Sequence, residues 1–212
     1  EGNLATTAGT CAVMGTASTM ACVAEALGMS LPDTAAIPAV HADRLRAAEA
    51  TGVRAMAMAL AGGPLPSQLI TEKSVENALR VLLAISGSTN AIIHLTAVAG
   101  RGGINVSLER LNKLSDETPV LIDLKPTGSH YMQDFYAAGG MSALLAEIKD
   151  LLHLDCLTVA GETLGERLER PLAFVDRSVI RPRNDPISPV GGLVALFGSL
   201  APKGAHVAEN PN

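Results

Sequence analysis

Aromatic side chains make up only 2% of this 212-residue chain, although 48% of its residues are hydrophobic. The core must therefore be filled by alanine, valine, isoleucine, leucine and methionine. The chain also has 20 glycines, and residues this small let helices and strands approach one another closely. The length allows one large domain, or one and a half small domains, with a sizeable core.

Charge and hydropathy argue against two classes of protein, nucleic-acid binders and membrane-spanning proteins. The net charge is -5 and no basic run is present, which argues against nucleic-acid binding. The shortage of aromatic side chains also removes the stacking platforms of single-strand binders. The most apolar stretch, residues 78–100, contains Arg80, Asn90 and His94 and never reaches the run of about 18 apolar residues that a membrane span needs. We predict two buried helices joined by a polar turn there, with His94 in the core.

The cysteines and the N-terminus indicate the compartment. Cys11, Cys22 and Cys156 are odd in number and share no Cys-x-x-Cys spacing, so neither a disulfide framework nor a structural zinc site is expected. No secretory signal is visible, because the N-terminus lacks a basic stretch followed by an apolar one. We expect a reducing, cytoplasmic setting.

Glycines, prolines and capping residues divide the chain into helices. A helix is predicted over about residues 16–27, and Thr71 is a good N-cap for another over residues 72–84. Asn90 is the predicted cap of the next helix. Residues 39–60 place apolar side chains on one side and charged side chains on the opposite side, which predicts an amphipathic helix.

Two short apolar runs, Val120–Ile122 and Leu157–Val159, are typical of buried strands. A helical segment over about residues 141–152 lies between them. Helices that alternate with short strands predict an α/β fold in which a parallel sheet is layered with helices. Prolines punctuate residues 171–191, which predicts a linker.

Cys11 stands in a glycine- and threonine-rich turn directly before the first predicted helix. A thiolate there lies in the positive field of the helix start, among backbone N–H groups without partners inside the helix. This environment suits a metal ligand or a reactive thiol. A buried structural cysteine is one alternative, a cysteine-nucleophile acyltransferase with a nearby histidine is a second, and a non-catalytic scaffold is a third. Cys22 is assigned to the core.

Three further side chains are candidate substrate contacts. Thr16 lies in the first turn after Cys11, where its hydroxyl can either bind a ligand or cap the helix. Ser88 belongs to a polar cluster between two apolar helices, where capping of the second helix is the alternative. Lys125 follows a predicted strand, and ligands of open α/β sheets collect beyond the carboxyl ends of strands.

Several motifs follow one another over nearly the whole chain. They are Gly9–Pro32, Ile37–Arg44, Gly87–His94, Leu124–Gly128, Met132–Tyr136 and Pro186–Leu193. Their sequences and spacing resemble the dihydroxy-acid dehydratase and phosphogluconate dehydratase family. These proteins are iron–sulfur hydro-lyases and include the sugar-acid (aldonate) dehydratases, to which the segment Met14–Met20 is most similar.

The resemblance implies dehydration of a 2,3-dihydroxy carboxylic acid to a 2-keto-3-deoxy acid. The substrate would be a small hydroxy acid, either a branched-chain dihydroxy acid or a C5 or C6 aldonate. Cys11 would be one of three cysteines that bind an iron–sulfur cluster, of the 2Fe-2S rather than the 4Fe-4S type, and a magnesium ion would hold the substrate. The resemblance places the segment His41–Arg44 near the entrance to the site, although an exposed surface pairing explains it equally well. A homo-oligomer, a dimer or a tetramer, is expected.

The chain also departs from the family pattern. The Cys-Asp-Lys and Thr-Asp-Gly-Arg motifs of the family are absent, so we expect an internal fragment that is inactive alone, with the other cluster ligands, the magnesium ligands and the base outside it. Ser86 stands where most members have glycine, and we expect its Cβ to tighten that turn. Ser129 stands where the family usually has lysine or arginine, so a charge that would meet an acidic substrate is missing.

The resemblance also gives the predicted domains. Residues 1–170 would be the C-terminal part of the α/β cluster-binding domain, followed by the linker over 171–191. Residues 192–212 would begin a β-barrel-like C-terminal domain, with strands at Leu193–Phe197 and Ala205–Val207.

Overall fold

The computed structural model describes Gly9 and residues 11–208. Helices predominate in this part of the chain, and a single 3-10 turn, Lys149–Leu151, accompanies them. The helices are α1 (Thr16–Ala26), α2 (Ala42–Ala61), α3 (Pro66–Leu69), α4 (Glu72–Ala84), α5 (Asn90–Arg101), α6 (Leu108–Glu117), α7 (Met132–Ala137), α8 (Gly140–Glu147) and α9 (Leu164–Leu168). The strands are β1 (Leu193–Gly198) and β2 (Ala201–Ala208).

The core is built around α4, in which ten of 13 residues are buried. This helix packs against α1, α5 and α6. Its start is fixed as the sequence predicts, because the Thr71 hydroxyl accepts a hydrogen bond from the Ser74 N–H at 3.2 Å. The two helices predicted within residues 78–100 are confirmed, but His94 is exposed. His94 lies on the outer side of α5, while Ala91, Leu95 and Ala99 face the core.

Small residues set the distance between the core helices. A Cβ added to Gly87, in the turn between α4 and α5, would lie 2.6 Å from the Thr19 Cγ2 on α1. Only glycine therefore fits at this contact. The neighbouring Ser86 adopts a φ of 46°, a left-handed conformation that L-residues other than glycine rarely occupy.

The prediction of a parallel sheet is wrong for the described residues. Val120–Ile122 is buried and extended, but it forms isolated antiparallel bridges to Ser188 and Ile180. The second predicted strand, Leu157–Val159, pairs locally with Thr163. The prolines between Ile180 and Ser188 lack the N–H groups that a regular ladder needs, so pairing stops after single bridges.

The sheet in the described part of the chain is the antiparallel pair β1–β2, in which Leu193 lies opposite Ala208 and Leu196 opposite Ala205. Both strands predicted after residue 192 are thus confirmed. Asn112 of α6 fixes the start of β1, because its side chain exchanges two hydrogen bonds with the backbone of Ala195, at 2.7 and 2.8 Å. The domain boundaries proposed from the sequence stay predictions.

Helix α2 forms where it is predicted, but its orientation is not the expected one. None of its residues is buried, and Leu45, Met56 and Leu60 are 62–82% exposed. Hydrogen bonds tie it to the body of the protein, because the Arg44 and Arg54 guanidinium groups donate to backbone carbonyls. The apolar stripe therefore faces outward. None of the helices within the described residues has the length and apolar character to cross a bilayer.

Candidate functional site

Cys11 lies in the turn directly before α1 and is exposed. Hydrogen bonds hold this turn from two sides. The Met132 N–H donates to the Ala12 carbonyl at 2.7 Å, and the Met14 N–H donates to the Lys125 carbonyl at 2.8 Å. The Cys11 sulfur makes no hydrogen bond to any residue that the structure describes. Cys11 is therefore an accessible thiol on a fixed turn.

A cleft of about 370 Å³ opens beside Cys11. Residues 34–39 form one wall, and the start of α7 forms another. Gly9 lies at its edge with a φ of 107°, and an added Cβ there would be 2.4 Å from the Ala39 Cβ. Glycine thus lets the turn before Cys11 pass close to the opposite wall. The cleft has the size of a small-molecule site.

A buried charged pair fixes the wall that residues 34–39 form. The Glu25 carboxylate on α1 accepts hydrogen bonds from the Asp33 and Ala35 N–H groups at 2.8 and 2.9 Å. It also accepts one from the Arg167 guanidinium at 2.6 Å. Glu25 is 2% exposed. Burial raises the pKa of this carboxyl, and Arg167 opposes that shift. The pair ties α1, the wall and α9 together.

Thr16 and Ser88 contact each other, although they are far apart in sequence. Their hydroxyl oxygens are 2.9 Å apart, and the Asn90 amide donates to the Thr16 hydroxyl at 3.0 Å. The sequence predicted Asn90 as the N-cap of α5, and this prediction is wrong. Asn90 is the first helical residue, and Thr89 occupies the cap position without a side-chain hydrogen bond. Neither Thr16 nor Ser88 lines the Cys11 cleft. Their hydroxyls join α1 to the α4–α5 turn.

Lys125 contributes its backbone to the site, through the hydrogen bond to the Cys11 turn. Its ammonium group donates to the Tyr131 hydroxyl at 2.7 Å and lies 4.1 Å from the centre of the same ring. Hydrogen bonding and a cation–π contact thus direct this charge to Tyr131. Lys125 is not among the residues that line the Cys11 cleft.

The segment His41–Arg44 packs against α7 at the start of α2. The Tyr136 hydroxyl donates to the Asp43 carboxylate at 2.6 Å, and the His41 and Tyr136 rings meet edge to face at 5.2 Å. The hydrogen bonds from Tyr136 and Arg46 hold the pKa of Asp43 below its usual range. Asp43 is therefore engaged with these partners, while Arg44 turns to the cleft.

The other two cysteines lie away from this cleft. Cys22 is fully buried on α1, and burial strongly raises the pKa of its thiol. Cys156 is 9% exposed, accepts a 3.6 Å hydrogen bond from the Asn77 amide, and has a pKa that burial raises to about 11. Residues 11–208 contain no group of three or more histidine, cysteine or acidic side chains placed to hold a metal ion.

Sequence reasoning missed two features of the site. Glu25 stands inside a helix of small residues, and nothing local shows that it meets Arg167 across the fold. Arg44 belongs to a recognised motif, but the sequence does not show that it lines the same cleft as Cys11. Only the packing of α2 against residues 34–39 reveals this.

The family model described as dihydroxy-acid/6-phosphogluconate dehydratase N-terminal matches residues 1–167. The chain belongs to this family, which confirms the resemblance drawn from the motifs.

Individual relatives agree with the family match. The chain is 42% identical over 209 residues to a protein named dihydroxy-acid dehydratase from Caldanaerobacter subterraneus subsp. tengcongensis, which aligns 98% of this chain with 37% of that protein. It is 43% identical over 212 residues to a dihydroxy-acid dehydratase from Caldicellulosiruptor saccharolyticus, aligning 99% of this chain with 38% of the relative. The chain therefore spans a little over a third of the length of the curated relatives it matches.

Proposed function

We propose that the protein is an iron–sulfur hydro-lyase that dehydrates a 2,3-dihydroxy carboxylic acid to a 2-keto-3-deoxy acid, with Cys11 as one ligand of its cluster. The observation that carries this proposal is the accessible Cys11 thiol on a fixed turn, beside a cleft of about 370 Å³. Membership of the dehydratase family and the names of the relatives support it.

Cys11 fits the role of a cluster ligand on its own chemistry. Its thiol is exposed on a fixed turn, and the small residues around it leave room for a bulky group. When bound, the cluster supplies a Lewis acid for a substrate hydroxyl, and magnesium supplies a hard cation for substrate oxygens. The described lining of the cleft contains no carboxylate, so we assign no magnesium ligand within it.

The chain's own residues hold this site in shape. The backbone of Lys125 and of Met132 fixes the Cys11 turn, and Glu25 fixes the opposite wall. The hydroxyls of Thr16 and Ser88 lock the start of α1 against the α4–α5 turn. A preorganised cleft of this kind orients a small acid before any bond changes. In the reaction the acid loses its C2 proton and C3 hydroxyl as water, and the enol becomes the 2-keto acid.

Two substrate classes compete for this cleft, a branched-chain dihydroxy acid and a C5 or C6 aldonate. The names of the relatives favour the former, and the segment Met14–Met20 favours the latter. Comparison of kcat/KM for both acids, measured with the full-length protein, decides between them. Light scattering on the same preparation tests the predicted dimer or tetramer.

The role of Cys11 is tested by replacing it with serine in the full-length protein. We expect Cys11→Ser to lose bound iron, visible absorbance and dehydratase turnover after anaerobic purification. Cys156→Ala is the matched control, because Cys156 is buried away from the cleft, and it should retain all three. Wild-type iron content in Cys11→Ser would overturn the proposal.

The described residues give no support to the acyltransferase alternative. A nucleophilic cysteine needs a base within hydrogen-bond reach, and no histidine of the described chain makes a hydrogen bond to the Cys11 sulfur.

A further inference from the structure

The Cys11 cleft has an unbalanced charge. Its described lining is formed by small, apolar and neutral polar side chains, and among these residues Arg44 carries the only charge. No acidic side chain of the described chain shares the lining with it. A cation that is enclosed in a cleft without a counterion attracts an anion from solution.

Arg44 is also unusual among the arginines of this chain. Most of the others form ion pairs with a carboxylate, namely Arg46, Arg80, Arg110, Arg167, Arg170, Arg177, Arg181 and Arg183. Arg44 is half-buried and donates one hydrogen bond, to the Ile37 carbonyl. Its remaining N–H groups have no hydrogen-bond partner in the described chain. Arginine needs a carboxylate partner mainly when it is fully buried, and Arg44 is only partly buried, so its free N–H groups are available to an anion that enters the cleft.

The neighbouring acid does not fill that role. Asp43 accepts hydrogen bonds from the Tyr136 hydroxyl and from Arg46, and its carboxylate is also 3.4 Å from the His41 ring. These contacts direct Asp43 to α7 and to the exposed side of α2. Arg44 instead extends to residues 34–39, the wall that Glu25 holds in place.

We propose that Arg44 is the anion-binding side chain of the Cys11 cleft and holds the carboxylate of a small organic acid there. The planar guanidinium offers two parallel N–H groups, a geometry that matches a carboxylate. The Ile37 carbonyl fixes one edge of the group and leaves the other donors for a ligand. The charge selects acids over neutral polyols of equal size.

This inference deepens the proposed function and rests on that function only for the identity of the acid. The charge of the cleft can be measured without iron, magnesium or turnover. Failure of one proposal is therefore distinguishable from failure of the other.

The test compares two reagents that alkylate the Cys11 thiolate by the same displacement of iodide, anionic iodoacetate and neutral iodoacetamide. The full-length protein is stripped of metal with a chelator, and its folded state is checked by circular dichroism. The rate of labelling at Cys11 is followed by peptide mass spectrometry. We expect Arg44→Gln to lower the iodoacetate-to-iodoacetamide rate ratio by about tenfold at low salt, because a charged cleft concentrates ions of opposite sign. High salt should reduce this difference.

Two matched variants separate charge from structure. Arg46→Gln removes an exposed arginine of the same helix that pairs with Asp43, and it should leave the ratio unchanged. Arg44→Lys keeps the charge and should retain most of the ratio. Two results would overturn the proposal. In the first, Arg44→Gln leaves the ratio unchanged, even if both labelling rates change equally. In the second, Arg46→Gln lowers the ratio as much as Arg44→Gln does.

Discussion

Replacing Ser86 by glycine should raise the free energy of unfolding by about 2 kcal/mol. Ser86 has a φ of 46°, and the left-handed conformation costs an L-residue about 1–2 kcal/mol. Its hydroxyl is buried without a partner within the described residues, which costs about 1–3 kcal/mol. The greater freedom of glycine in the unfolded chain opposes these gains by about 0.5–1 kcal/mol, and the loss of hydroxyl packing against Gly192 opposes them further.

The surroundings explain why the hydroxyl finds no partner. A Cβ built on Gly192 would lie 2.2 Å from the Ser86 oxygen, so the start of β1 passes directly over this side chain. The α4–α5 turn encloses it from the other side. Water therefore cannot reach the hydroxyl, and the backbone groups nearby are already used, since the Ser86 N–H donates to the Leu83 carbonyl.

Urea unfolding of the wild type, Ser86→Ala and Ser86→Gly separates the two contributions. Alanine removes the hydroxyl but keeps the Cβ, so it should recover only the cost of the buried polar group. Glycine should recover the backbone strain as well, and the expected order of midpoints is wild type, alanine, glycine at equal m values. A glycine variant no more stable than the alanine variant would show that the turn is not strained.

Three further predictions concern separate parts of the molecule. Gly52→Ala, at a position in α2 where a Cβ meets nothing within 4 Å, should stabilise the protein by about 1 kcal/mol through helix propensity, and a lower melting temperature would contradict this. Burial raises the pKa of Glu76, but Arg110, Arg80 and His153 together outweigh that effect and hold the pKa below its usual value. Glu76→Gln should therefore destabilise the protein by about 1 kcal/mol at pH 7, and the difference should vanish as the pH falls below about 4; an equal loss at pH 3 would refute the ion pair. In the metal-stripped protein at pH 8, an alkylating reagent should label the exposed Cys11 well before Cys156, whose pKa burial raises to about 11, and equal labelling rates by mass spectrometry would contradict the assigned burial.

The features that the sequence predicts well are local ones. The helix at Glu72–Ala84 begins directly after Thr71, because the cap hydroxyl and the N–H that it accepts from lie three residues apart. The break between α4 and α5 follows from the polar residues 86–90. In each case the interaction that sets the boundary lies within one turn of it.

The sequence-based predictions fail where an interaction joins residues that are far apart in the chain. Val120–Ile122 has the composition of a strand, but whether it joins a sheet depends on Ile180 and Ser188, more than fifty residues away. The sequence of α2 shows an apolar stripe without showing which side meets the body. His94 has apolar neighbours in sequence, yet the α5 face that carries it points outward.

The candidate site shows the same division. The helix start after Cys11 is visible in sequence, because glycine, threonine and small helical residues follow one another there. The contact between Thr16 and Ser88 spans 72 positions, and no local pattern encodes it. Arg44 is separated from Cys11 by a whole helix and a loop, so their shared cleft depends on tertiary packing.

The buried pair Glu25–Arg167 explains how such distant parts form one cleft. Removing either partner would leave an unpaired charge in the interior, at a cost of about 3–5 kcal/mol, so the pair strongly favours the single arrangement in which α1 and α9 meet. In that arrangement Glu25 also accepts the Asp33 and Ala35 N–H groups, and the wall opposite Cys11 has no freedom to open. The helix that follows the Cys11 turn thus carries, near its other end, the carboxylate that shapes the space in front of the thiol.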